Sequence, residues 1–172
     1  MSYIAVDVES DGPCPGLYSM VSFGAVVVRP GLKDTFKGEV TPITDDWIPE
    51  ALVVSGVTRA QHENFPAPGM VMIAFKEWLG KVSIGRPRFI TDNLAFDWQW
   101  INWYFHRYCG MNPFGFSGSR IGDLYAGMMR NVFSNWRELR IIKHTHDPVE
   151  DAAGVAEVLL KMKNLGLGIK FD

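Results

Sequence analysis

The sequence predicts one mixed α/β domain over residues 1–172, and three observations support this prediction. Strand-like segments come first, at residues 3–8, 19–28 and 35–40, and their close succession favours an antiparallel meander. Helical and extended patterns then alternate to the end of the chain, as in domains that pack helices on a sheet. The length of 172 residues suits a single domain, and 47% hydrophobic with 21% charged residues is an ordinary globular composition.

The later elements follow from their local patterns. Residues 68–79 and the aromatic-rich residues 96–108 have helical spacing, and residues 89–91 form a short strand between them. Residues 121–133 are expected to begin as a brief strand and to continue as a helix. The pattern assigns no element to residues 41–65, which hold two prolines and a Gly-containing turn.

The last helix has the clearest boundaries. Asp147 can cap it, Pro148 suits the first helical position, and Glu150 stands three residues after the cap. An apolar stripe follows, and Gly166 stands just past the predicted end.

Charge and composition exclude several classes of protein. Lys and Arg number 17 against 19 Asp and Glu, so the net charge of −2 lacks the footprint of a strongly basic nucleic-acid binder. The N-terminus has no basic region typical of a signal peptide, and no apolar run approaches the roughly 20 residues of a membrane span. Cys14 and Cys109 are far apart and form no metal-binding spacing, so we expect a cytoplasmic protein with reduced thiols and no membrane contact.

Four acidic residues and a histidine are candidates for chemistry. Asp7 and Glu9 stand at i and i+2 on the first strand, so both carboxylates lie on one face and repel each other unless a cation or solvent offsets the charge. Asp97 lies at the start of the aromatic helix, whereas His146 precedes the cap of the last helix and Asp151 lies one turn inside it. Taken singly, each has an ordinary explanation: an exposed strand end, a first-turn acid or a loop histidine.

Together these residues resemble the motifs of the DEDDh 3′–5′ exonucleases, a family that includes RNase T, oligoribonuclease and the proofreading subunit of bacterial DNA polymerase. Their order and spacing match the family over most of the chain, with Asn93 four residues before Asp97. Ser55-Gly56-Val57-Thr58 is similar to the family's Thr-Gly-Ile-Thr segment. The histidine five residues before the last acid is that of the histidine subclass. Asp92 departs from the family, because many members have histidine there.

The resemblance implies an RNase H-like fold of the α/β class, with a central mixed five-stranded sheet flanked by helices. It also implies two divalent ions, Mg²⁺ or Mn²⁺, whose preference for oxygen ligands suits carboxylates. Asp7 would bridge both ions, Glu9 and Asp151 would each complete one coordination shell, and Asp97 would hold the second ion mainly through water. His146 would be the general base, and family spacing favours it over the alternative, His144.

The implied reaction is 3′–5′ hydrolysis of single-stranded nucleic acid to nucleoside 5′-monophosphates. RNA is the first expectation, because residues 12–20 look closest to short bacterial and phage exoribonuclease-like proteins. Single-stranded DNA is the alternative, since the site residues do not discriminate the sugar. A non-catalytic nucleic-acid-binding module and a hydrolase of free nucleotides are the rivals from other classes. The resemblance to oligoribonuclease and RNase T also implies a homodimer.

Substrate contacts are expected beside the metal site. The family seats its terminal nucleotide on the segment that here contains Tyr18, Ser19 and Met20, although strand packing explains this segment equally well. Asn93 is a further substrate-binding candidate. His62 and His106 match no motif and are expected at the surface or at helix caps. The basic candidates for phosphate contact are Arg59, Arg86, Arg88, Arg120, Arg137 and Lys143.

Overall fold

A computed structural model describes residues 1–171, and its centre is a five-stranded mixed sheet. The strands are β1 (Tyr3–Ser10), β2 (Met20–Val27), β3 (Thr35–Glu39), β4 (Arg88–Thr91) and β5 (Gly118–Arg120). Their order across the sheet is β3-β2-β1-β4-β5. The first three strands are antiparallel, whereas β4 is parallel to both β1 and β5. The predicted meander and the mixed five-stranded sheet are confirmed.

Helices cover both faces of this sheet. They are α1 (Pro49–Val54), α2 (Arg59–His62), α3 (Pro68–Val82), α4 (Leu94–Cys109), α5 (Ile121–Met129) and α6 (Pro148–Asn164), with a short 3-10 turn at Trp136–Leu139. The predicted start of the last helix is confirmed, since the side chain of Asp147 accepts hydrogen bonds from the backbone amides of Val149 and Glu150. Within residues 1–171, none of the helices has the length and apolar character that crossing a bilayer requires.

Two sequence expectations differ from the structure. The sequence predicts a brief strand from residue 121 onward. In the structure the strand β5 ends at Arg120, and Ile121 already begins α5. Gly118, Ser119 and Arg120 have no apolar alternation, and their pairing with β4 makes them a strand. The unassigned segment contains α1 and α2, and a capping box formed by Thr58 and Gln61 begins α2.

The two faces of β1 belong to different cores. Ile4, Val6 and Val8 pack with side chains of α3 and α4, whereas Ala5 packs with α5 and α6. Because side chains alternate along a strand, Asp7 and Glu9 continue the row of Ala5 toward α6. The pleat of β1 thus directs both acids to the face where α6 lies.

Candidate active site

Helix α6 begins unusually close to the sheet beside Asp7. Gly24 of β2 pairs directly with Asp7 of β1 in the antiparallel ladder. A Cβ atom on Gly24 would collide with the backbone of Pro148 and Val149 at the first turn of α6. The absence of a side chain at Gly24 therefore lets α6 approach the strand and brings Asp151 to the acids of β1.

Asp97 approaches the acids of β1 from the other side of this strand. It lies in the first turn of α4, which follows β4, and it is only 2% exposed. Its Oδ1 atom accepts a hydrogen bond from the backbone amide of Val8 at 3.1 Å, and its Oδ2 atom accepts one from the hydroxyl of Thr91. These two bonds hold the carboxylate at the carboxyl end of β1.

The acids form two triads that share Asp7. In one triad, ligand atoms of Asp7, Glu9 and Asp151 lie within 4.8 Å of one another, and in the other, those of Asp7, Asp92 and Asp97 do. The Oδ2 atom of Asp7 is buried and accepts no hydrogen bond from residues 1–171. An orphaned carboxylate oxygen among other carboxylates fits a hard divalent cation, whose preferred ligands are oxygens.

The pKa values of these acids reflect their crowding. Burial raises the pKa of Asp7 well above its usual range, and the charges of Asp97, Glu9 and Asp151 raise it further. Burial also raises the pKa of Glu9 to about 7, although His146 opposes this shift. The pKa of Asp97 rises to about 8, again through burial, with its hydrogen bond from Thr91 acting in the other direction. A bound cation would favour the ionised forms.

Asp151 has two partners near each carboxylate oxygen, one of them an arginine. Its Oδ1 atom lies 2.7 Å from Nη2 of Arg140 and accepts from the amide of Thr145 at 3.2 Å. Its Oδ2 atom accepts from the amide of His146 at 2.9 Å and lies 2.7 Å from Nδ1 of His144. Asp151 therefore fixes the loop that carries both histidines.

The two histidines lie side by side but face different acids. Their ring centroids are 4.4 Å apart and both side chains are about half exposed. His144 contacts Asp151, whereas Nδ1 of His146 lies 3.7 Å from Oε1 of Glu9. His146 has a φ of 61°, an uncommon backbone conformation for a residue with a side chain, and such outliers often occur at functional sites.

These side chains surround an open depression of about 330 Å³, here called the acidic pocket. It is lined by Asp7, Val8, Glu9, Asp92, Asn93, Phe96, Asp97, Arg120, Arg137, His144 and His146. Nη2 of Arg137 lies 3.4 Å from Oδ2 of Asp92, and Nε of Arg120 donates to the carbonyl of Asp92 at 3.0 Å. Of the six basic candidates, the pocket lining contains these two arginines.

The predicted substrate-binding residues lie in different surroundings, and one of them lines the acidic pocket. Asn93 is exposed and lines the acidic pocket, and Tyr18 is partly buried. Ser19 and Met20 are fully buried. The hydroxyl of Ser19 accepts from the amide of Ile43, and Met20 donates its amide to the hydroxyl of Tyr104. The start of β2 is thus packed into the core and lies outside the lining of the acidic pocket, and contact of Ser19 and Met20 with a nucleotide stays a prediction.

His62 is also not at the surface as expected. It is fully buried, its Nε2 atom lies 3.2 Å from the carbonyl of Met20, and its Nδ1 atom lies 3.7 Å from Oδ2 of Asp11. Arg59 pairs with the same oxygen of Asp11 at 3.3 Å. The cluster ties α2 to the loop after β1, and these residues follow no motif that would have revealed the contact in the sequence.

Sequence comparison finds one close relationship over nearly the full length. The 3′–5′ DNA exonuclease Cap18 of Escherichia coli is 36% identical over 180 aligned positions, which cover 99% of this chain and 96% of Cap18. No protein-family model matches the chain.

Solved structures share the fold. The nuclease domain of 3′hExo, a DEDDh family member bound to rAMP, has a TM-score of 0.76 at 15% identity, covering 99% of this chain and 96% of that one. The zinc-bound complex of E. coli ExoI with single-stranded DNA has a TM-score of 0.71 at 16% identity, covering 96% of this chain and 41% of that one. These structures match the sheet and its flanking helices.

Proposed function

Since the chain belongs to the DEDDh 3′–5′ exonucleases and is a metal-dependent 3′–5′ exonuclease, we propose that it degrades single-stranded DNA from the 3′ end. The observation that carries the proposed site is the sharing of Asp7 between two carboxylate triads. One residue common to two cation sites is what a two-metal phosphodiesterase needs, because both ions must act on the same phosphate.

We assign the metal ligands from this arrangement. Asp7 would contact two ions, Glu9 and Asp151 would complete one site, and Asp97 would belong to the other. Mg²⁺ and Mn²⁺ are the ions that suit an all-oxygen ligand set. When bound, such ions lower the pKa of water and stabilise the charge on the attacking and leaving oxygens. Asp92, which lies in the second triad, is an additional ligand candidate.

The protein's own groups would move the protons and position the strand. His146 is the proposed general base, since its ring borders the acidic pocket beside Glu9. It would take a proton from the attacking water. The water oxygen bonds to phosphorus, and the bond from phosphorus to the 3′ oxygen of the preceding nucleotide breaks. The terminal nucleotide then leaves as a 5′-monophosphate. The 3′ oxygen of the shortened strand takes a proton from solvent water to become a hydroxyl, and His146 returns its proton to solvent. Asn93 would contact the terminal nucleotide from the pocket wall.

DNA is placed ahead of RNA because the 36% identical relative is a DNA exonuclease. This reverses the order that residues 12–20 favoured. RNA remains the second candidate, supported by that segment and by the rAMP bound to the structurally similar nuclease domain of 3′hExo. The homodimer implied by resemblance also remains a proposal, which light scattering of the purified protein would test.

One assay tests the exonuclease activity, the preference for DNA or RNA and the requirement for a divalent ion. Matched DNA and RNA oligonucleotides, single- and double-stranded and labelled at the 5′ end, are incubated with the protein and Mg²⁺ or Mn²⁺. We expect progressive shortening of single-stranded DNA, release of 5′-monophosphates and no product in excess EDTA. Faster shortening of RNA would reverse the proposed sugar preference, and digestion of none of the four would overturn the proposed function.

A further inference from the structure

A second cleft adjoins the acidic pocket and has no part in the proposed chemistry. We call it the arginine cleft; its volume is about 590 Å³, and it lies between α5 and the 3-10 turn. The side chains that matter for binding in its lining are Arg120, Arg130, Val132, Phe133, Trp136 and Arg137. Arg120 and Arg137 also line the acidic pocket, so the two depressions adjoin at these two residues.

The charge of the arginine cleft is opposite to that of the acidic pocket. Its lining has three arginines and one acid, Asp123, which pairs with Arg120 at 2.8 Å. Arg137 also pairs at 3.4 Å with Asp92 of the acidic pocket. Arg137 lies over the ring of Trp136, with its guanidinium carbon 4.8 Å from the ring centroid. Arg130 is exposed, and none of the ion pairs found within residues 1–171 involves it. A cationic cleft in a chain of net charge −2 is complementary to phosphates.

An apolar rim accompanies these arginines. The side chains of Phe133 and Val132 are 90% and 81% exposed, respectively. Phe133 is held in a defined turn, because its amide donates to Oδ1 of Asn131 at 3.0 Å and the amide of Ser134 donates to the carbonyl of Asn131 at 3.2 Å. The left-handed conformation of Arg130, with φ of 51°, turns the chain from α5 into this rim. Exposed aromatic side chains beside cations are a typical platform for unpaired bases.

We propose that the arginine cleft binds the part of the strand that precedes the scissile bond. The inference rests on the proposed function, because it assumes that a 3′ terminus enters the acidic pocket. A 3′ exonuclease places one nucleotide beyond the scissile bond, whereas the rest of the strand must leave over the surface. The arginine cleft is open to solvent and adjoins the acidic pocket, so it suits the departing strand.

The residues that the two depressions share indicate which part of the strand each side chain would contact. Arg120 and Arg137 border both, so they would meet the phosphates nearest the scissile bond. Arg130 and Phe133 line only the arginine cleft and would meet nucleotides further along the strand, through a phosphate and a base, respectively. A dinucleotide is too short to use these two, whereas a long oligonucleotide reaches them.

The test compares Arg130→Gln/Phe133→Ala with a matched control, Arg107→Gln/Phe116→Ala. Both control side chains are exposed and lie outside the two depressions, and Phe116 precedes β5 at the end of the sheet opposite the acidic pocket. We measure kcat/KM on a dinucleotide and on a long single strand of the preferred sugar. We also measure binding of the long strand in Ca²⁺, which reports on the cleft without requiring hydrolysis.

The expected result is selective for strand length. The cleft variant loses roughly tenfold in kcat/KM and in affinity for the long strand, as expected for one stacked base and one phosphate contact. The cleft variant hydrolyses the dinucleotide at the wild-type rate, and its affinity for the long strand depends less on salt than that of the wild type. The control variant resembles the wild type in every measurement. Equal losses on both substrates, or no loss of affinity for the long strand, would overturn the inference. Failure of the wild type to hydrolyse any strand counts against the proposed function, while binding in Ca²⁺ still decides the role of the cleft.

Discussion

Nη2 of Arg140 lies 2.7 Å from Oδ1 of Asp151, and the two side chains are 9% and 2% exposed. Nε of Arg140 also donates to the carbonyl of Ile142 at 2.6 Å, so one guanidinium joins α6 to the loop that carries the histidines. A Cβ atom on Gly154 would collide with this guanidinium, and the glycine therefore provides its space. Arg140 thus both compensates the charge of Asp151 and positions the loop of His146.

Replacing Arg140 with alanine is expected to lower the free energy of unfolding by about 3–5 kcal/mol, because it leaves a buried carboxylate without its partner. Urea unfolding in metal-free buffer measures the change. Lys37→Ala is the control, since Lys37 pairs with the cap Asp147 in an exposed position and such pairs contribute about 1 kcal/mol or less. Similar small changes in both variants would contradict the role of Arg140.

Asp7→Asn is expected to abolish hydrolysis and yet to stabilise the metal-free protein. The substitution removes a charge that burial and four neighbouring acids disfavour. A gain of about 1 kcal/mol corresponds to a rise of roughly 2–4 °C in Tm for a chain of this size. Calorimetry in EDTA and the oligonucleotide assay measure the two effects. Full activity of Asp7→Asn or Asp7→Ala would show that the metal ligands are wrongly assigned.

Metal binding and metal-free stability should change with pH in opposite directions. The folded pKa values of Glu9 and Asp97, about 7 and about 8, lie above the usual carboxyl value of about 4. Between pH about 4 and 8 the folded state therefore binds more protons than the unfolded state, and the metal-free protein loses stability as pH rises. Mn²⁺ needs the ionised carboxylates, so its affinity should rise over pH 6–8, with protons released on binding.

Titration calorimetry in two buffers of different ionisation enthalpy counts the released protons. Thermal unfolding in EDTA follows the stability of the metal-free protein over the same range of pH. Binding without proton release near pH 6.5, where Glu9 and Asp97 are largely protonated in the free protein, would contradict the crowding of the acids.

His146→Ala is expected to keep metal binding and to lose roughly 10²–10⁴-fold in kcat, the usual contribution of a general base. His144→Ala should lose much less, because its Nδ1 atom is engaged with Asp151. Single-turnover rates of both variants at saturating Mn²⁺ measure the difference, and calorimetry checks that the ions still bind. A larger loss in His144→Ala would transfer the role of base to His144.

Local sequence was enough for much of the fold and for the principal acids. Alternation along β1 already places Asp7 and Glu9 on one face, since it depends only on the backbone pleat. The start of α6 was equally predictable, because Asp147 and Pro148 act within their own turn. The short strand β5 was predicted a few residues too late in the chain. Its three residues lack apolar alternation and form a strand only because they pair with β4.

Tertiary packing decided which groups meet. The sharing of Asp7 by two triads, the burial of Ser19 and Met20, and the pairing of Arg140 with Asp151 all join residues distant in the chain. No spacing rule encodes such contacts, because they depend on how closely helices approach the sheet. The raised pKa values have the same origin, since burial and the distances between charges exist only once the chain has folded.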